Sequence, residues 1–103
     1  MPNYLLTFHG ALDMPEDPAE QEQAMAAWGA WYADIGAGLV DGGAPISHSA
    51  GVGPDGPTDA PATLSGYTIV SAPDLAAATK IAEGSPVLAG GHTVQVSECI
   101  DMG

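Results

Sequence analysis

The side chains able to do chemistry in this chain are few and scattered. His9 closes the alternating segment Tyr4-Leu5-Leu6-Thr7-Phe8-His9, where an imidazole can serve as acid, base or hydrogen-bond donor near neutral pH. Asp34 falls near the end of a helical run and would orient His9 or polarise a water if that helix end met the strand end; the plain alternative is an exposed helical carboxylate. Tyr67 offers a hydroxyl for ligand recognition, and His48 and His92 lie in or beside glycine-rich loops that could face a cleft between subunits. The plainer reading of the others is as loop, core or dimer contacts.

Other chemistries are disfavoured by spacing. The three histidines match no compact metal-ligand motif, so no metal is expected. Cys99 is the single cysteine; it excludes an intrachain disulfide and, within a strand-like run, reads as a small buried hydrophobe. Gly51-Val52-Gly53-Pro54-Asp55-Gly56 is literally G-x-G-x-x-G, but Pro54 and Pro57 forbid the helix that a dinucleotide fingerprint must open. No phosphate-binding G-x-x-x-x-G-K-[ST] loop and no G-x-S-x-G elbow occur, and no cofactor is expected.

Charge narrows the partners further. Thirteen acidic residues stand against one lysine and no arginine, a formal charge of −12. Such a chain repels phosphate backbones and anionic lipid, so neither nucleic acid nor membrane is an expected partner. It also lacks the guanidinium that clamps carboxylates and phosphates in bidentate fashion. No apolar run approaches the ~20 residues of a membrane span, and MPNYLLTFHG has a strand pattern rather than that of a secretory signal. The expectation is a cytoplasmic protein.

The elements that must position these residues follow from periodicity. Tyr4, Leu6 and Phe8 alternate with Leu5, Thr7 and His9, the signature of a strand with two unlike faces. Gly10 to Glu16 is a connector. Asp17-Pro18-Ala19-Glu20 reads as a helix start, with Asp as cap, Pro at the first position and Glu in capping-box placement. Ala24, Trp28, Trp31, Tyr32, Ile35 and Leu39 form one broad apolar face, and the helix is expected to run to about Ala37 before Gly36 and Gly38 end it. The stretch from Leu39 to Thr63 is punctuated by Gly, Pro, Asp and Ser: a short strand at Leu39-Val40, an irregular edge strand over Pro45 to Val52, and a turn at Pro54-Asp55-Gly56-Pro57.

The second half carries the clearest unit. Leu64 to Val70 is rich in β-branched and aromatic residues, Pro73 and Asp74 suit a first helical turn, and Leu75, Ala78, Ile81 and Ala82 make an apolar stripe. His92 to Ile100 supplies a last strand, with Val94, Val96 and Ile100 sharing a face with Glu98. The chain is therefore a single domain over residues 1–103. The order strand, helix, one or two irregular strands, strand, helix, strand predicts a ferredoxin-like split β-α-β, an α+β fold with both helices on one face of an antiparallel sheet. Tyr4, Leu6, Phe8, Tyr67, Ile69, Val94 and Val96 are expected beneath the helices, and Leu5, Thr7, His9, Thr68, Val70, Thr93, Gln95 and Ser97 on the opposite face. An uncovered half-apolar face predicts a homodimer.

Several stretches together carry a family resemblance. The opening strand and the Trp- and Ala-rich helix are followed by Gly38-Leu39-Val40-Asp41-Gly42-Gly43-Ala44-Pro45 and the Asp55-Gly56-Pro57 turn. Ser65-Gly66-Tyr67-Thr68-Ile69-Val70, Asp74-Leu75 to Ala82, and Gly91-His92-Thr93-Val94-Gln95-Val96 then complete the order. In sequence and spacing these stretches resemble the YCII-related, or DGPF, domain over nearly the whole chain. The resemblance implies a dimeric α+β barrel built from two ferredoxin-like sheets. It also implies a small-molecule-binding protein, in some members a lyase or dehydrochlorinase in which a helical His and an Asp act together. Asp34 stands at that Asp position and Met25 at that His position. The functional expectation is a small-molecule binder with its cleft near His9, Asp34 and Tyr67. Any catalysis would be a cofactor-independent lyase or isomerase step with His9 as acid or base. The competing expectation is a non-catalytic dimeric assembly module.

Overall fold

The computed structural model describes residues 1–11 and 15–102. Part of the connector expected over Gly10 to Glu16 lies outside the described residues. The elements are β1 (Asn3–His9), α1 (Pro18–Ile35), a 3-10 turn (Gly36–Gly38), β2 (Leu39–Asp41), β3 (Gly51–Gly53), β4 (Gly56–Thr58), β5 (Leu64–Ser71), α2 (Leu75–Ala82), a second 3-10 turn (Pro86–Gly90) and β6 (Thr93–Glu98).

Both helices start where a short acidic side chain can satisfy free amides. Asp17 Oδ1 accepts from the Ala19 amide at 3.0 Å, with Pro18 at the first helical position. Gly36, at φ 62°, ends α1 ahead of the Ala37 boundary expected from periodicity, and the chain tightens into a 3-10 turn. Asp74 is the cap of α2 rather than a first-turn residue: its Oδ1 accepts from the Ala77 amide at 2.8 Å, so Pro73 lies before the helix.

Four strands form an antiparallel sheet in the order β2-β5-β1-β6, and β3 and β4 form a separate hairpin. Tyr4, Leu6 and Phe8 on β1 are buried, together with Trp31 of α1 and Ala78 and Ala82 of α2. Both helices thus share one core against one face of the sheet, and the molecule is small, α+β and mostly antiparallel. The Trp31 indole N–H donates to the Ile81 carbonyl at 3.0 Å, tying α1 to the end of α2. Full burial of a side chain such as Leu6 or Val70 contributes ~1.5–3 kcal/mol each.

The register of β5 is one residue out of phase with the expectation. Tyr4 faces Val70, Leu6 faces Thr68 and Phe8 faces Gly66, so Thr68 and Val70 lie beneath the helices. Tyr67 and Ile69 instead pair with Thr7 and Leu5 on the open face. The smaller side chains take the crowded side because Phe8 occupies the room there: a Cβ on Gly66 would stand 3.2 Å from the Phe8 ring. The hydroxyl of Thr68 is compatible with complete burial because it donates to the Gly42 carbonyl at 3.2 Å.

Two further expectations change. The irregular strand over Pro45 to Val52 reduces to a single bridge, Pro45 to Gly66, and to β3 at its far end; beyond the Pro54-Asp55 turn the chain continues as β4. The last strand stops at Glu98, leaving Cys99 and Ile100 exposed. Cys99 is therefore not the buried hydrophobe its pattern implied. Among the described residues no helix is long and apolar enough to cross a membrane.

Candidate functional site

The inner face of α1 presents Ala24, Trp28 and Tyr32 at four-residue spacing, which stacks them along one line of the helix. Phe8, at the end of β1, meets Trp28 edge-on with ring centres 5.3 Å apart, and Trp28 contacts Trp31 and Tyr32 at 5.5 and 5.8 Å. Edge-to-face contacts of this kind hold each ring in one orientation. Trp31 is spent in the core, whereas Trp28 and Tyr32 remain half-buried and border an open cavity of about 620 Å³.

Two loops wall this cavity, and both are pinned. The Tyr32 hydroxyl donates to the Gly42 carbonyl at 3.0 Å, fastening the segment after β2 to α1. Asp41 Oδ1 accepts from the Gly43 amide at 2.8 Å. Gly43 itself adopts φ 74°, and a Cβ there would run into the Tyr67 carbonyl, so this turn needs glycine twice over. The second wall is the 3-10 turn after α2. His92 follows it, held by its amide donating to the Val87 carbonyl at 3.1 Å, with its ring against Gly10.

The lining is apolar apart from a few groups. Ser65 donates its hydroxyl to the Phe8 carbonyl at 3.3 Å, and Gln21, exposed at the rim, donates its amide N–H to the Pro15 carbonyl at 2.7 Å. Trp28 Nε1 and the His92 ring have no hydrogen-bond partner among the described residues, and both residues line the cavity; Tyr67 borders it too, but its place on β5 turns its side chain to the open face. No Asp, Glu or Lys does so among those residues. A pocket of this size, with aromatic walls and a few free polar groups, has the character of a small-molecule site.

Of the residues singled out from the sequence, His92 lines this cavity, and Tyr67 borders it from β5 with its side chain on the open face beside Thr7. His9 does not: it lies on the open face of the sheet, where its Nε2 shares a hydrogen bond of 3.0 Å with Thr7 Oγ1. Asp34 is exposed on α1 and away from the lining. His48 is exposed in the segment before β3, its Nδ1 3.0 Å from Ser47 Oγ. Met25, which stands where the family resemblance has its histidine, borders the cavity with a thioether that carries no exchangeable proton.

The two loop walls, Gly42 to Pro45 and Pro86 to Gly90, are the part of the site that sequence reading passed over. Their signal was present as Gly-Gly and Pro punctuation, which marks a turn without saying what the turn encloses. No group of three or more His, Cys, Asp or Glu among the described residues is placed to hold a metal ion. Comparison with known proteins returned no matching family, no matching characterised protein and no matching solved structure.

Proposed function

We propose that this chain is a YCII-like small-molecule-binding protein whose ligand occupies the cavity between α1, the Gly42 to Pro45 turn and the turn leading to His92. The observation that carries the proposal is the cavity itself: about 620 Å³, walled by Phe8, Trp28 and Tyr32 and bordered by Trp28 Nε1 and the His92 ring, which have no partner among the described residues. The order β2-β5-β1-β6, antiparallel throughout and with both helices packed on one face, supports the ferredoxin-like reading of the fold. Among the described lining residues, His92 is the one placed to act as acid or base on a molecule in this cavity. His9 would act only on a molecule held against the open face.

The test is a thermal-shift screen of neutral aromatics, phenols, lactones and carboxylates on the native chain and on Gly90→Leu. Gly90 lines the cavity and a Cβ there meets nothing within 4 Å, so a larger side chain fills space without straining the fold. A ligand at 100 times its dissociation constant adds about 2.7 kcal/mol, a shift on the order of ten degrees for a domain of this length. A saturable shift that Gly90→Leu abolishes is expected. No saturable shift from any class would refute the proposal.

The assembly reading has its own support, and the two are compatible. The chain exposes 6845 Å² at a mass of 10.3 kDa, against about 5,400 Å² for a compact monomer of that mass. The excess exceeds the ~800 Å² that each partner buries in an ordinary interface. The molecule is only 20 Å thick, a single sheet under a single helix layer. The open face carries Leu5, Thr7, Tyr67, Ile69 and Gln95 and, among the described strand residues, only Asp41, at its edge, as a carboxylate, so a second copy can approach there despite the net charge of −12. Homodimerisation through this face is the corresponding proposal. Sedimentation at micromolar concentration checks it, with a monomer as the contrary result.

A further inference from the structure

From the polarity of the cavity, we infer that its ligand is a neutral, planar, conjugated carbonyl compound, such as an aryl ketone, rather than an acid or an amine; this rests on the binding role proposed for that cavity. Charge gives the first constraint. Neither Lys nor Arg lines the cavity among the described residues, and the protein's net charge is −12, so a carboxylate or phosphate would meet repulsion with no cation to offset it. An organic cation would be drawn toward the protein, but among the described residues the lining has no Asp or Glu to receive it.

Hydrogen-bonding capacity supplies the second constraint. The lining side chains on the covered side that are left without partners among the described residues are Trp28 and His92. An indole N–H can only donate, and a neutral imidazole donates through one nitrogen and accepts through the other, so donors outnumber acceptors two to one. The carbonyl of Gly42, a lining residue, already receives the Tyr32 and Thr68 hydroxyls at 3.0 and 3.2 Å. A ligand rich in N–H groups would therefore leave them unpaired in an apolar site, which is costly. A carbonyl oxygen, acceptor only, suits the free donors. The walls supply the third constraint: Phe8, Trp28 and Tyr32 are fixed by their mutual contacts and by the Tyr32 hydrogen bond, which favours a rigid flat body over a flexible chain.

The experiment uses one scaffold with four polarities: naphthalene, 2-acetylnaphthalene, 2-naphthoate and 2-naphthylmethylammonium, each titrated by calorimetry and by Trp fluorescence. The ketone is expected to bind about tenfold or more tighter than the acid and the ammonium, and about three- to tenfold tighter than naphthalene. His92→Phe should reduce the advantage over naphthalene while leaving naphthalene itself bound. If the ammonium or the acid binds best, or the ketone only equals naphthalene, the ligand class is wrong and the cavity still binds. If none of the four binds, the binding role and the ligand class both fall.

Discussion

The two faces of the sheet use the same strands to opposite ends. Beneath the helices, Tyr4, Leu6, Phe8, Thr68 and Val70 are buried, and the last turn of that layer opens into an aromatic cavity. On the other side, Leu5, Thr7, His9, Tyr67 and Ile69 are only partly buried, and one helix layer with one sheet layer spans 20 Å in all. The difference shows that alternation along a strand divides labour as well as polarity. One face spends its bulk on a core with a cavity at its rim, and the other keeps a flat, nearly uncharged surface on which a second copy could lie.

Substitutions can separate the faces by size of effect. Trp31→Ala should be the most damaging, since it removes a buried indole, its contacts with Phe8 and Trp28, and its bond to Ile81; ~3–5 kcal/mol of stability should be lost in chemical denaturation. Gly43→Ala should cost ~1–3 kcal/mol or more, because the new Cβ must meet the Tyr67 carbonyl at a positive φ, and it should weaken ligand binding as the cavity wall moves. Asp74→Ala should cost ~1 kcal/mol through loss of the α2 cap, without altering either face. Thr7→Glu, which sets a carboxylate between Tyr67 and Gln95 on the open face, should change monomer stability by only ~0.5 kcal/mol, yet abolish association in sedimentation. A Thr7→Glu variant that still dimerised would remove the open face from the interface.

A pH titration probes the covered face from another direction. Burial pushes the Tyr4 phenol above its usual value of 10.0, and its hydrogen bond to Glu98 Oε1 at 3.0 Å adds to the rise. The unfolded chain therefore loses this proton first, so the stabilisation from neutral Tyr4 is complete below about pH 10 and is lost as pH rises above it. Denaturation midpoints should fall in that alkaline window, and Tyr4→Phe should flatten the fall.

Much of the architecture was legible in local chemistry. Alternation placed β1, the Asp17-Pro18 start placed α1, and the run of β-branched residues placed β5. The side of β5 that faces the core was not legible, because Tyr67 and Ile69 are bulkier than Thr68 and Val70, and only the tertiary fit of Phe8 against Gly66 decides the matter. Less of the candidate cavity was legible: His92 lines it, Tyr67 borders it with its side chain on the open face, and Trp28 and Tyr32, read as an apolar helix face, wall it. The side chains of His9 and Asp34 fall elsewhere, since a strand's parity and a helix's rotation determine which chemistry reaches a cavity more firmly than proximity in sequence does.

Amide and indole chemical shifts during titration with 2-acetylnaphthalene test the division between the faces most directly. Saturable shifts are expected at Gly43, Ala44, Val87, His92 and the Trp28 indole, with Leu5, Thr7, Ile69 and Gln95 unmoved. Saturable shifts confined to Leu5, Thr7, Ile69 and Gln95, or no saturable shift anywhere, would contradict the assignment of the binding site to the helix-covered face.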